Sequence, residues 1–298
     1  MAVVASSRRN VLSEGPVWVA ETSTILWIDV EVGSVFEGRL EGGLVEESWK
    51  LDFPGRVGAV VPGVDGSLLV ATANRLVVVP PGGSRLDGPV IIAPGVDSRT
   101  NDGACDPAGR LLVGTLPLDD RTSQDFLFRV EDDCSLTTID SDLTLSNGLG
   151  WSPDGRLLYS TDTIPGTIWV RDYDAATGAI GPRRQHLQIE DGSPDGLCVD
   201  ANGNLWVAIW GSGEVRSFSP MGELVATVRV PCPHPSSVAF VGDRLDLLLI
   251  TTASRDLSEA ELRQYPDAGR LFLADVETTG TPTFAWSASW RDQLVGNP

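Results

Sequence analysis

The chain reads as an all-β fold: one six-bladed β-propeller domain over residues 1–298, with four antiparallel strands in each blade. Three observations predict it. A tight turn followed by a short apolar strand recurs six times, the recurrence has a period in the forties, and the six units use up the 298 residues with no linker left over.

The repeat is plainest in Asp65-Gly-Ser-Leu-Leu-Val-Ala-Thr, Ala108-Gly-Arg-Leu-Leu-Val-Gly-Thr, Asp154-Gly-Arg-Leu-Leu-Tyr-Ser-Thr and Asn202-Gly-Asn-Leu-Trp-Val-Ala-Ile. Looser copies start at Thr22 and Asp243. The turn glycines Gly66, Gly109, Gly155 and Gly203 lie 43, 46 and 48 residues apart, and Asp-Gly or Asn-Gly supplies the positive φ of a tight hairpin. A third strand is expected near residues 35–36, 76–79, 126–130, 168–173, 215–218 and 271–276. A fourth is expected near 48–51, 90–93, 136–139, 186–189, 225–230 and 283–286. Nothing shows sustained helical periodicity, although residues 257–265 suit a short helix in a loop. Two β-sandwiches would have similar strand density but would not need six copies of one turn. The N-terminal segment is expected to close against the last blade, leaving no free sheet edge.

Composition narrows the function classes. With 22 basic and 41 acidic residues the formal charge is −19, which repels phosphate backbones and anionic membranes. Nucleic acid and membrane are therefore not expected as partners. No run of eighteen apolar residues exists, and the segment MAVVASSRRN does not read as a signal peptide. Cys105, Cys134, Cys198 and Cys232 form no CxxC pair; Cys105 and Cys198 fall in apolar segments and read as buried free thiols. A cytoplasmic location is the expectation.

The chemistry is expected at one register. Eight residues before Gly109, Gly155 and Gly203 stand Asn101, Asn147 and Asp195, each opening an apolar first strand. Aligning Trp18 with Trp151 brings Glu14 to the same level, and Ser236 takes it in the last blade; the second blade offers only Val57-Gly58. First strands line a propeller's axis, so these residues form a ring at its mouth. Two carboxylates and two amide oxygens suit one divalent cation, calcium first, with magnesium, manganese and zinc left open. The competing reading makes each Asn-Gly or Asp-Gly a strand-entry turn. Glu14 fits that poorly, since glutamate is a weak turn former. Arg99 lies close enough to reach a substrate oxygen, Asp119 follows a strand toward the same mouth, and Trp210 is either a pocket wall or core.

At these residues the chain resembles the gluconolactonase and regucalcin family, also called the senescence marker protein family. The stretches that carry the resemblance are Ser13-Glu14-Gly-Pro-Val-Trp18, Arg99-Thr-Asn-Asp-Gly103 with Asp106-Pro-Ala-Gly-Arg110, Ser146-Asn147-Gly-Leu149 with Trp151-Ser-Pro-Asp-Gly155, and Pro194-Asp195-Gly-Leu-Cys-Val-Asp200. The resemblance implies a metal-dependent lactonase with Glu14, Asn147 and Asp195 as metal ligands; ring opening by water also needs a proton acceptor, and Asp195 is the expected general base. The resemblance also implies substrate contacts from Arg99, Asn101 and Asp119. Relatives usually carry Glu at the place of Asp119, and Thr100 replaces an aromatic residue found in some of them. The expected partner is a small sugar-type lactone, and the chain is expected to be a monomer or weak homo-oligomer. A metal-dependent phosphotriesterase and a non-catalytic calcium-binding propeller are the rival readings; no G-x-S-x-G motif supports a serine triad.

Overall fold

The computed structural model describes residues 1–119 and 124–295. Six sheets of antiparallel strands stand around one axis. The inner strands are Ser13–Val19, Val57–Pro62, Ser98–Cys105, Ser146–Trp151, Ser193–Val199 and Pro235–Val241. Each runs from what we call the upper mouth to a tight turn at the lower one, and the chain returns along the second strand. The repeat turns form as expected, with φ of +69° at Gly155 and +83° at Gly203.

Every sheet alternates its side chains between two neighbouring blades, so the core is divided into six apolar clusters, one per blade interface. Val207 and Leu205 pack with Ile168 and Tyr159 between blades four and five, for example. Leu26 and Ile28 pack with Val60 and Val70 between blades one and two.

Two terminal segments hold the ring. The outer strand of blade six is Val3–Val4, paired antiparallel with Phe272 and Leu273, as the expected closure requires. Residues 283–286 are therefore not that strand, contrary to the sequence reading. They belong to a strap that crosses the lower mouth and docks on the repeat turns. The amide of Ala201 donates to Thr279, that of Gly280 to Leu245, that of Ser287 to Gly109 and that of Trp286 to Pro62. Phe284 meets Trp151 edge-on, and Trp286 and Trp290 are each 1% exposed between blades two and three. The apolar alternation that mimicked a strand is the face with which the strap plugs the channel.

The expected loop helix forms at Glu259–Gln264, with a Ser258/Glu261 capping box. All four cysteines are free, Cys105 buried and Cys198 partly so. Among the described residues no helix is long and apolar enough to cross a membrane.

Candidate active site at the upper mouth

All six inner strands slip register by one residue at the same level. The slips fall between Glu14 and Val17, Val57 and Ala59, Thr100 and Gly103, Asn147 and Leu149, Pro194 and Leu197, and Pro235 and Ser237. A β-bulge of this kind leaves one residue unpaired and re-aims its neighbours. The ring read from the sequence is thus a ring of bulges, which turn side chains along the axis.

Two of the glycines after the ring residues, Gly148 and Gly196, have a different purpose from the one turn chemistry suggests. Gly148 and Gly196 have no positive φ. A Cβ on Gly148 would lie 2.5 Å from the Asp195 carbonyl oxygen, and one on Gly196 would lie 2.5 Å from Ser237 Cβ. Asn-Gly and Asp-Gly recur here because the next blade's bulge occupies that space.

Glu14, Arg99, Asn101, Asn147 and Asp195 line one cavity of about 530 Å³, together with Trp210. Asp119 is exposed and does not line it; its neighbour Leu118 does. Thr100 faces away from the cavity, fully buried, its hydroxyl donating to Thr72 O at 2.7 Å. At the ring position of blade six, Ser236 is buried and donates to Ser13 O at 2.6 Å.

Polar side chains around the cavity form a connected chain. Asn147 Nδ2 donates to Thr163 Oγ1 at 2.9 Å, and that hydroxyl donates to Pro194 O at 2.8 Å. The amide is thereby fixed with its oxygen turned to accept from Asn101 Nδ2 at 2.8 Å. Asn101 Oδ1 in turn accepts from Arg99 Nη1 at 2.8 Å. Asn101 therefore bridges Arg99 to Asn147.

The carboxylates are much less satisfied. Among the described residues Asp195 Oδ1 is buried without any hydrogen-bond partner, and Glu14 accepts only from the amide of Gly15, at 3.3 Å. Burial raises both carboxyls well above the usual range, and mutual repulsion with Asp102 raises them further; Arg99 opposes the shift. Asp102 shares the blade-three bulge with Asn101 but faces the other way, into a second cavity of about 140 Å³ closed from below by residues 281–284. Burial pushes it up to about 6.

Sequence reasoning passed over Asp102, because one register per blade allows one residue and a bulge presents two. It also passed over Arg56 and Arg255, which line the upper cavity from loops that share no register.

Comparison with known proteins agrees with this architecture. A model described as the SMP-30/Gluconolactonase/LRE-like region matches residues 12–254. The chain is 34% identical over 284 residues to a pentonolactonase of Haloferax volcanii, covering 92% of this chain and 94% of that protein. It is 30% identical over 285 residues to regucalcin of Danio rerio, covering 94% and 96%. A solved structure from Agrobacterium tumefaciens, titled a calcium-binding protein, regucalcin, superposes with a TM-score of 0.88 at 25% identity, covering 95% of this chain and 97% of that one.

Proposed function

The chain belongs to the SMP-30/gluconolactonase/LRE-like family, and from that premise we propose that it hydrolyses a small sugar lactone to the hydroxy acid in the upper cavity. Relatives named pentonolactonase and L-arabinolactonase support the reaction class. One observation carries the assignment to this site: Asp195 Oδ1 is a buried carboxylate oxygen with no partner, in the cavity that Glu14 and Asn147 also line.

The donor set fits a divalent cation. Two carboxylates that repel each other balance a charge of +2, and the fixed amide oxygen of Asn147 supplies a neutral third ligand. No histidine or cysteine is among the described residues lining the cavity, which favours a hard oxygen-seeking ion over zinc. The regucalcin relatives make calcium the first candidate. Glu14, Asn147 and Asp195 would hold the ion, and bound there it would polarise the ring carbonyl and make a water more acidic.

The chain's own residues do the rest. Asp195 takes the proton of the attacking water, whose oxygen bonds to the acyl carbon. The acyl–oxygen bond of the ring then breaks, and the ring oxygen takes the proton back from Asp195 to become the hydroxyl of the hydroxy acid. Arg99, held against Asn101, faces the oxygen on which charge develops. Trp210 forms part of the wall against which the ring rests, its indole stacked on His234 at 4.2 Å.

A pH-stat assay over neutral aldonolactones and a model phosphotriester, with and without chelator, tests this reading. Lactone turnover that chelation abolishes and calcium restores is the expected result. Hydrolysis of the phosphotriester alone, or of neither, overturns it.

A further inference from the structure

The upper cavity has a second character that ring opening does not require. Arg56, Arg99 and Arg255 all line it. Arg56 precedes the inner strand of blade two, Arg99 lies in that of blade three, and Arg255 follows the second strand of blade six. Glu31 stands between two of them, its Oε2 accepting from Arg56 Nε at 2.9 Å and its Oε1 from Arg255 Nη1 at 3.0 Å. Arg255 Nε also lies 3.3 Å from Asp256, which is largely exposed. Arg99 is only 5% exposed, and among the described residues it makes no ion pair, donating just to Asn101 and to the Thr100 carbonyl.

Three cations thus share Glu31 and Asp256, the latter also lining the cavity. Burying a guanidinium that makes no ion pair is costly: burial, with repulsion from Arg56 and Arg255, lowers the Arg99 pKa to about 10 even though Glu31 and Glu14 attract it. A divalent ion at Glu14 and Asp195 would cancel the charge of those two carboxylates, leaving the arginine wall in net positive excess. A neutral sugar lactone brings hydroxyls but no charge to this wall. Guanidinium groups match carboxylate and phosphate oxygens in a bidentate way.

Resting on the lactonase reading above, we propose that the lactone hydrolysed here carries an anionic oxyacid group, a carboxylate or a phosphate, away from its ring carbonyl, and that Arg56 and Arg255 hold that group. The apolar side chains of Leu118, Leu145 and Ile164 line another part of the cavity, so the two ends of such a substrate meet different chemistry. The geometry orients it: ring carbonyl toward Glu14 and Asp195, anion toward Glu31 and its arginines.

The test is kcat/KM at fixed ionic strength for a neutral aldonolactone, an aldarolactone with a free carboxylate, and a phosphorylated aldonolactone of the same ring size. At least one anionic lactone should be preferred about tenfold or more, and the better of the two identifies the group. Added salt should erode the preference. The R56Q/R255Q variant should bring the anionic-to-neutral ratio close to one. E31Q, which leaves the arginines uncompensated, should increase the ratio; it also serves if the double variant fails to fold. Equal turnover of neutral and anionic lactones, or a preference indifferent to both variants, overturns the inference while leaving the lactonase reading intact. Turnover of no lactone at all sinks that reading instead. Calorimetric titration with the opened diacid, the phosphorylated acid and the simple monoacid then decides the arginine wall alone, equal affinities counting against it.

Discussion

The two ends of the axial channel are built from the same six inner strands, yet they have opposite characters. The upper mouth is open and lined by unsatisfied charge: an unpartnered Asp195 oxygen, a weakly bonded Glu14, an Arg99 with no ion pair. The lower mouth is plugged by a strap whose backbone is hydrogen-bonded to four blades and whose two tryptophans are almost wholly buried. Stability is concentrated below and chemical potential above, and the bulge ring is the boundary. Such a division is expected where a site stores electrostatic strain that the surrounding fold must withstand.

The sharpest way to break this contrast is to alter the upper end. Asp195→Asn should reduce kcat/KM by at least ~10³-fold, since it removes both the base and a metal-facing charge. Circular dichroism and Tm should stay close to those of the parent, and a collapsed fold would show that the upper end is structural after all. The complementary change is Trp286→Ala below. It should cost roughly 3–5 kcal/mol in urea unfolding, as large buried aromatics do, with KM for the lactone unchanged at 25 °C. A shifted KM would mean that the two ends communicate.

A pH series sharpens the comparison further. Asp102 has its pKa raised to about 6 in the folded chain, so the native state keeps a proton that the unfolded chain releases. Its contribution to stability is full below about pH 4 and is lost as the pH rises through 6. Glu14 and Asp195, also raised, act in the same direction. The metal-free protein should therefore unfold more easily at pH 7.5 than at pH 5, Asp102 alone accounting for on the order of 1 kcal/mol over that interval. Asp102→Asn should flatten that slope, and saturating calcium should offset it, both read by urea titration. The smallest expected effect is Thr281→Val. It removes the 3.2 Å bond from the strap hydroxyl to Val199 O, worth about 1 kcal/mol, with no change in activity.

Much of this was legible in the residues. Asp-Gly and Asn-Gly at a period in the forties marked the hairpins because positive φ leaves few alternatives to glycine, and the blades followed. The level of Asn101, Asn147 and Asp195 was legible because counting from those turns preserves register, and that of Glu14 because Trp18 aligns with Trp151. The bulges were not, because a one-residue slip depends on how the next strand pairs and not on local composition. For the same reason Gly148 and Gly196 read as turns, although the neighbouring blade is what excludes a side chain there. Residues 283–286 were misassigned because Phe284 and Trp286, two residues apart, give a strap the apolar spacing of a strand. Arg56 and Arg255 could not be found at all: they meet through Glu31 from three different loops.

The pairing of Val3 and Val4 with Phe272 and Leu273 also constrains how the molecule can be made. Blade six combines residues separated by nearly the whole chain, so during synthesis its outer strand waits, unpaired, until five blades have been completed. The strap follows still later in the chain, so the nascent propeller is an open arc whose channel is unplugged. Ring closure, and with it the convergence of blades one and five on a shared axis, therefore follows the synthesis of residues 272–275.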